Sequence, residues 1–204
     1  MTAAAISHLT RADKVLGRLI KKVGPCTLEP QRRRPPFQAL VRSVAYQQLN
    51  GKAAETILGR ALALFPGKRF PTPEDLIAMP DEKLRGAGLS RNKTAAIKDI
   101  AAKTMAGVVP DLRGILKLSN EAILERLTKV RGVGPWTVEM LLMFTLGRED
   151  VLPATDFGVR KGFALTYGLK ELPTPKELLA HGERWRPHRT TASWYLWRAV
   201  DLGK

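Results

Sequence analysis

The sequence predicts an all-α fold, and three observations predict it. Apolar residues recur at helical spacing along most of the chain. Capping residues, first-turn prolines and glycine stops punctuate that pattern at short intervals. No stretch shows the apolar–polar alternation of a half-buried strand. About eleven helices with short connections are expected. The 204 residues suit one or two compact domains able to bury a real core.

Thr10 with Asp13 resembles a capping pair, after which Val15, Leu16, Leu19, Ile20 and Val23 follow helical spacing up to Gly24-Pro25. Arg32, Arg33 and Arg34 form a basic turn before Pro35, and Pro36 can start the next helix. Phe37, Leu40, Val41, Val44 and Ala45 make its apolar stripe, and Tyr46-Gln47-Gln48-Leu49 close it. Asn50 is expected to cap a helix whose inward residues run from Ala53 to Phe65, stopped by Pro66-Gly67. Thr72-Pro73-Glu74-Asp75 is a helix start with cap, N1 proline and acidic first turn. Leu84 to Ile97 holds a Gly-x-Gly turn and a Ser90 cap; Lys93 and Lys98 are candidates for DNA backbone contact there, with a purely structural turn an equal alternative. Asp111 opens a short helix, and Ser119 caps the next. Helices are also expected from Asp156 to Gly168, from Thr174, and from Pro187 through Trp194, Tyr195, Trp197 and Val200.

The 34 Lys and Arg against 19 Asp and Glu leave a formal charge of +15. Such an excess favours a polyanionic partner, nucleic acid before membrane, since no basic amphipathic anchor stands out. The single cysteine, Cys26, excludes an internal disulfide and a four-cysteine iron–sulfur cluster. His8, His181 and His188 lack metal-ligand spacing. The first residues, MTAAAISHLT, lack a secretory signal, and no apolar run is long enough to span a bilayer. A cytoplasmic, DNA-associated protein without membrane contact is expected.

The stretch from Leu127 to Phe157 carries the functional information. Two helical patterns flank the turn Arg131-Gly132-Val133-Gly134, and Asp156 follows a short loop. The glycines allow positive φ and close backbone approach. Pro135 fits the first position of the second helix. Backbone N–H groups at such a turn suit a phosphate oxygen, through hydrogen bonding and the helix dipole.

Together, the GVGPWT turn, LPATD, the QQL of Gln47–Leu49 and the ERWRPHR of Glu183–Arg189 resemble the helix-hairpin-helix–Gly/Pro…Asp superfamily of DNA glycosylases. Within it the sequence is similar to the 3-methyladenine-DNA glycosylase II type, from about Gln38 to Trp197. The resemblance implies one glycosylase domain over residues 1–204. It would have two helical lobes flanking a DNA-binding cleft, with the hairpin at 119–147 and Asp156 facing that cleft. Larger relatives carry an N-terminal sheet domain; too few residues precede Gln38 to build one, so it is expected to be absent.

The resemblance also assigns roles. Asp156 is the catalytic carboxylate, although its local sequence alone reads as a helix cap. Trp136 stands where strand-cleaving relatives place a Schiff-base lysine, which implies a monofunctional enzyme that activates water. Leu49 matches an apolar wedge that fills the gap left by an extruded nucleotide; without the resemblance it reads as a core leucine. Gln47 and Gln48 are candidates to bond exposed base edges, with Gln48 counted to the substrate site. Trp197 matches an aromatic lining the family's pocket, with plain core an equal alternative. Met140 stands where some relatives place tyrosine. Arg131, Gly132, Val133, Gly134 and Thr137 are the expected backbone-binding residues of the hairpin. The carbonyls of Thr128, Val130 and Val133 match a site for a structural Na+ or K+; no other cofactor is expected.

Three functions compete at this point. The leading one is a monomeric enzyme hydrolysing the N-glycosidic bond of alkylated purines in double-stranded DNA. A non-catalytic helix-hairpin-helix DNA-binding module needs neither Asp156 nor Trp136. A glycosylase for oxidised or deaminated bases is opposed, in its strand-cleaving form, by Trp136.

Overall fold

The computed structural model describes residues 3–49 and 51–203. The expected Asn50 cap lies outside them. The described residues contain thirteen α-helices, a π turn and a 3-10 turn, and no strand. The two helices beyond the expected eleven are α1 (Ala3–Ala12) and α6 (Asp81–Gly86). The first is an alanine-rich segment without an acidic first turn, so it lacks the usual start signal. It also reassigns Thr10, which lies inside α1, while Asp13 alone caps α2 (Lys14–Val23) through Val15 and Leu16 N–H.

The chain divides into two compact units. The first comprises Met1–Gln31 and Leu142–Lys204. It holds α1, α2, a π turn (Leu142–Leu146), α11 (Phe157–Tyr167), α12 (Pro175–Gly182), a 3-10 turn (Glu183–Trp185) and α13 (Arg189–Leu202). The last helix starts two residues after Pro187, which follows a cis peptide bond instead of opening the helix. α13 packs along α11 and against α2. Leu9, Leu16, Val159, Leu178, Trp185 and Leu196 close the core between them.

A buried carboxylate ties this unit together. Asp13 is 5% exposed. Its Oδ1 accepts the N–H groups of Val15 and Leu16 at 3.1 and 3.0 Å. Its Oδ2 accepts the Tyr167 hydroxyl at 2.5 Å and Trp185 Nε1–H at 3.0 Å, and meets His181 Nε2 at 3.0 Å. Burial alone would raise its pKa; the hydrogen bonds from Tyr167, Leu16 N–H, His181 and Trp185 outweigh burial and hold it at about 2.

The second unit is Arg32–Leu141. It comprises α3 (Pro36–Tyr46), α4 (Gly51–Ala63), α5 (Pro73–Ala78), α6, α7 (Arg91–Met105), α8 (Leu112–Leu116), α9 (Asn120–Leu127) and α10 (Pro135–Leu141). α7 is its spine, packed by α3, α5 and α6, while α10 packs on α3 and α9. The stripe expected for α3 is buried at Phe37, Leu40, Val41, Val44 and Ala45. Thr72 and Asp75 form the expected reciprocal cap of α5, and Ser90, Asp111 and Ser119 cap α7, α8 and α9.

Candidate functional site

Asp156 caps α11: its Oδ1 accepts Val159 N–H at 2.7 Å. The same oxygen accepts Trp197 Nε1–H at 2.8 Å, from α13. One oxygen therefore holds the helix start and an indole from a neighbouring helix. The cap and the candidate catalytic role are compatible, because the hydrogen bonds fix the carboxylate's orientation. Trp197 in turn stacks on Phe144 of the π turn, with centroids 5.8 Å apart and planes at 30°. It is partly buried against the core of the first unit, so neither plain core nor plain lining describes it.

Gly158 makes this contact possible. A Cβ there would lie 2.8 Å from Trp197 Cδ1 and 3.1 Å from Asp156 Oδ1. Neither Gly158 nor Phe144 is legible as a site residue in the sequence. The one local signal is a glycine in the first turn of a helix, where it weakens helix propensity and needs a packing reason.

The hairpin lies in the second unit. Gly132 has φ of +76°, and a Cβ there would stand 2.7 Å from Ala96 Cβ on α7. Two demands, a left-handed backbone and contact with α7, thus meet at one glycine. Not every amide of the turn is available. Val133 N–H bonds the Val130 carbonyl at 3.1 Å, and Arg131 N–H bonds Asp99 Oδ2 at 2.8 Å. The N–H groups of Gly132 and Gly134 donate to nothing among the described residues. The turn's capacity for a phosphate therefore centres on these two amides, with the Arg131 side chain exposed beside them. Val133 and Thr137 are buried, so they can offer backbone but not side chain.

The Thr128, Val130 and Val133 segment lines a concavity with Asp99, Lys103 and Lys129. Oxygen donors of the kind a hard cation takes are present there, beside the positive charges of Lys103, Lys129 and Arg131.

Gln47 also has partners within the protein. Its Nε2 donates to the Gly132 carbonyl at 3.0 Å and to Thr137 Oγ1 at 3.2 Å. The side chain thereby ties the end of α3 to the hairpin. Gln48 follows with φ of +58°, a left-handed backbone at a non-glycine residue. This twist leaves Leu49 39% exposed, which removes the core reading for that leucine. Trp136 is 40% exposed, and Ser43, Tyr46, Gln47, Gln48, Leu49 and Trp136 line one concavity. The structure thus brings together two segments almost ninety residues apart. Met140, one turn further along α10, is half-buried.

Lys93 and Lys98 have partners within the protein, as the structural alternative has it. Lys93 Nζ donates to the Ala45 carbonyl at 2.8 Å, at the end of α3, and burial lowers its pKa. Lys98 pairs with Asp81. Both serve the fold of the second unit.

A helical fold, a glycine hairpin with two available amides and an acidic helix cap past the hairpin define a helix-hairpin-helix DNA repair protein. The chain belongs to the HhH-GPD superfamily of base excision DNA repair proteins, whose family model matches residues 41–187. It is similar to DNA-3-methyladenine glycosylase 1 of Schizosaccharomyces pombe, 42% identical over 99% of this chain and 89% of the relative. The solved structure of the S. pombe 3-methyladenine DNA glycosylase Mag1 in complex with abasic DNA superposes with a TM-score of 0.89, at 41% identity and 98% coverage of both chains. A DNA-3-methyladenine glycosidase from Bacillus halodurans gives 0.86 at 36% identity, covering 96% of this chain and 88% of that one. A Clostridium acetobutylicum 8-oxoguanine glycosylase/lyase shares the fold at 18% identity with a TM-score of 0.79. The fold therefore does not select the damaged base; the residues of the site must.

Proposed function

We propose that this protein is a monofunctional DNA glycosylase of base excision repair. It hydrolyses the N-glycosidic bond of alkylated purines, 3-methyladenine and 7-methylguanine, in duplex DNA. The observation that carries this reading is the Asp156 carboxylate, held at the head of α11 by Val159 N–H and Trp197 Nε1–H.

The target nucleotide leaves the stack, and its glycosidic bond becomes accessible. An N3- or N7-methylated purine carries ring charge, so the C1′–N bond breaks with its electron pair passing to the base, which departs neutral. The sugar develops oxocarbenium character, which a fixed carboxylate stabilises. Water then bonds to C1′, and its proton passes to Asp156 or solvent. No general acid is required for a cationic leaving group. Trp136 supplies an electron-rich face for such a base, a contact worth about 0.5–2 kcal/mol. Trp136 also denies the amine that a Schiff base requires, so strand cleavage is not part of this reaction.

Leu49 is the wedge that fills the vacated stack. The Gly132 and Gly134 amides grip a phosphate; the Thr128, Val130 and Val133 carbonyls would hold a Na+ or K+ beside it, adding positive charge there, and no other cofactor takes part. The working unit is a monomer on double-stranded DNA in the cytoplasm.

Base release from methylated duplex DNA in single turnover tests the reading. Wild type should release 3-methyladenine and 7-methylguanine. Asp156→Asn should bind DNA and lose excision by several orders of magnitude. Comparable rates for the two proteins would remove Asp156 from the chemistry. Efficient 8-oxoguanine release, or a borohydride-trapped adduct, would favour a strand-cleaving glycosylase instead.

A further inference from the structure

The solvent-facing side of α3 is the most unusual surface of the second unit. The buried stripe described above occupies one side of this helix. The opposite side is Gln38, Arg42 and Tyr46, four residues apart, with Arg34 two residues before the helix. All four side chains can donate hydrogen bonds, and none is acidic.

Arg42 is the centre of this row. Its guanidinium carbon lies 5.4 Å from the centroid of the Phe70 ring, which holds the group in place. Its Nε is buried and has no hydrogen-bond partner. Among the described residues neither Arg42 nor Arg34 has a carboxylate in ion-pairing range, although arginines elsewhere in the chain, Arg186 and Arg189 among them, do. Partial burial first, and the charge of Arg42 second, lower the Arg34 pKa, with Tyr46 acting the other way. Holding like charges together without a counter-charge is unfavourable in the isolated protein. An anion placed between them relieves it, and the planar forks suit two-oxygen recognition of phosphate. The row ends at Tyr46, on the rim of the concavity that holds Leu49 and Trp136.

We propose that the Arg34–Arg42–Tyr46 face of α3 is a second DNA-backbone contact, separate from the hairpin amides, that binds phosphodiester groups beside the wedge loop. The proposal rests on the DNA glycosylase reading. Arg42 is preset on Phe70, Arg34 closes on the same phosphate, and the Tyr46 hydroxyl donates to an oxygen of it or of its neighbour. The contact carries no base specificity, so it acts alike on damaged and intact duplex. Its part is to hold the strand against Leu49 as the wedge enters.

Equilibrium binding to an undamaged duplex, measured over a series of salt concentrations, tests this. Removing the cation that neutralises one phosphate should lower the slope of log K against log salt by about 0.9. Because the two share one phosphate, the double variant Arg34→Gln/Arg42→Gln should flatten the slope by about that amount, and Arg34→Gln alone by a measurable part of it. Affinity for intact and methylated duplex should fall by the same factor. A double variant with the wild-type slope, and with an unchanged melting temperature, overturns the α3 contact alone. Arg42→Gln can lose stability with its Phe70 contact; Arg34→Gln lies outside the helix and decides the question alone in that case. A wild-type protein whose binding ignores salt overturns the DNA reading itself, and this contact with it.

Discussion

Replacing Asp13 by asparagine tests how the first unit holds the helix that carries Asp156. α11 begins at the Asp156 cap and presents Tyr167 in its last turn, where the hydroxyl meets Asp13. The carboxylate accepts two backbone N–H groups on one oxygen and the Tyr167 and Trp185 donors on the other. Asparagine has one acceptor oxygen. If it keeps the α2 cap, its amide faces those side-chain donors. Tyr167 and His181 can reorient to accept, but an indole only donates, and Trp185 is fully buried. An orphaned buried donor costs about 1–3 kcal/mol, and the missing charge-assisted bonds add a similar amount. A loss of roughly 3–5 kcal/mol follows, in line with breaking other buried charged networks. At about 2–4 °C per kcal/mol for a chain of this size, the melting temperature should fall by roughly 6–20 °C.

The pH dependence has a definite sign. The folded carboxyl titrates at about 2, below its ordinary 3.8, so its contribution is present above pH 3.8 and is lost as pH falls towards 2. That contribution is roughly 2 kcal/mol. Thermal unfolding of wild type and Asp13→Asn at several pH values is the assay. The gap between them should be widest near neutrality and narrow below pH 4. A melting temperature within about 2 °C of wild type at pH 7 would refute the account of Asp13 as the hub.

Three further outcomes are expected. Gly158→Ala should force Trp197 off Asp156, because the added carbon would stand 2.8 Å from the indole; single-turnover excision should fall by about tenfold or more, as when a charge-assisted hydrogen bond is removed, with intact-duplex affinity preserved. Gln47→Ala frees the wedge loop from Gly132 and Thr137; the drop in extrusion, followed by fluorescence of a base analogue beside the lesion, should be roughly three- to tenfold, and an unchanged signal would show that the loop holds itself. Leu49→Ala should impair extrusion more than nonspecific binding, with an unchanged melting temperature because the side chain is exposed; a large stability loss would contradict that placement.

Much of the fold is local, and local features are legible in a sequence. The α3 stripe, the Thr72–Asp75 and Thr174–Glu177 caps and the Gly168 stop each depend on residues within one or two turns. α1 is not legible because it lacks a start signal, and Pro187 misleads because a proline at a turn and a proline at N1 look alike along the chain. The hairpin is legible too, since its glycines answer a backbone need.

What the amino-acid order determined by itself is therefore the helical architecture, the exposed-amide turn and the acidic residue past it, together with the absence of a lysine at Trp136. Tertiary structure alone decided which partners those groups have. Gln47 reaches Gly132 across 85 positions, Trp197 reaches Asp156 across 41, and Tyr167 reaches Asp13 across 154. Helix periodicity shows which face of a helix is apolar but not which helix will cover it. A side-chain donor is committed only when packing brings an acceptor within about 3 Å, and that choice is made by the whole chain folding together.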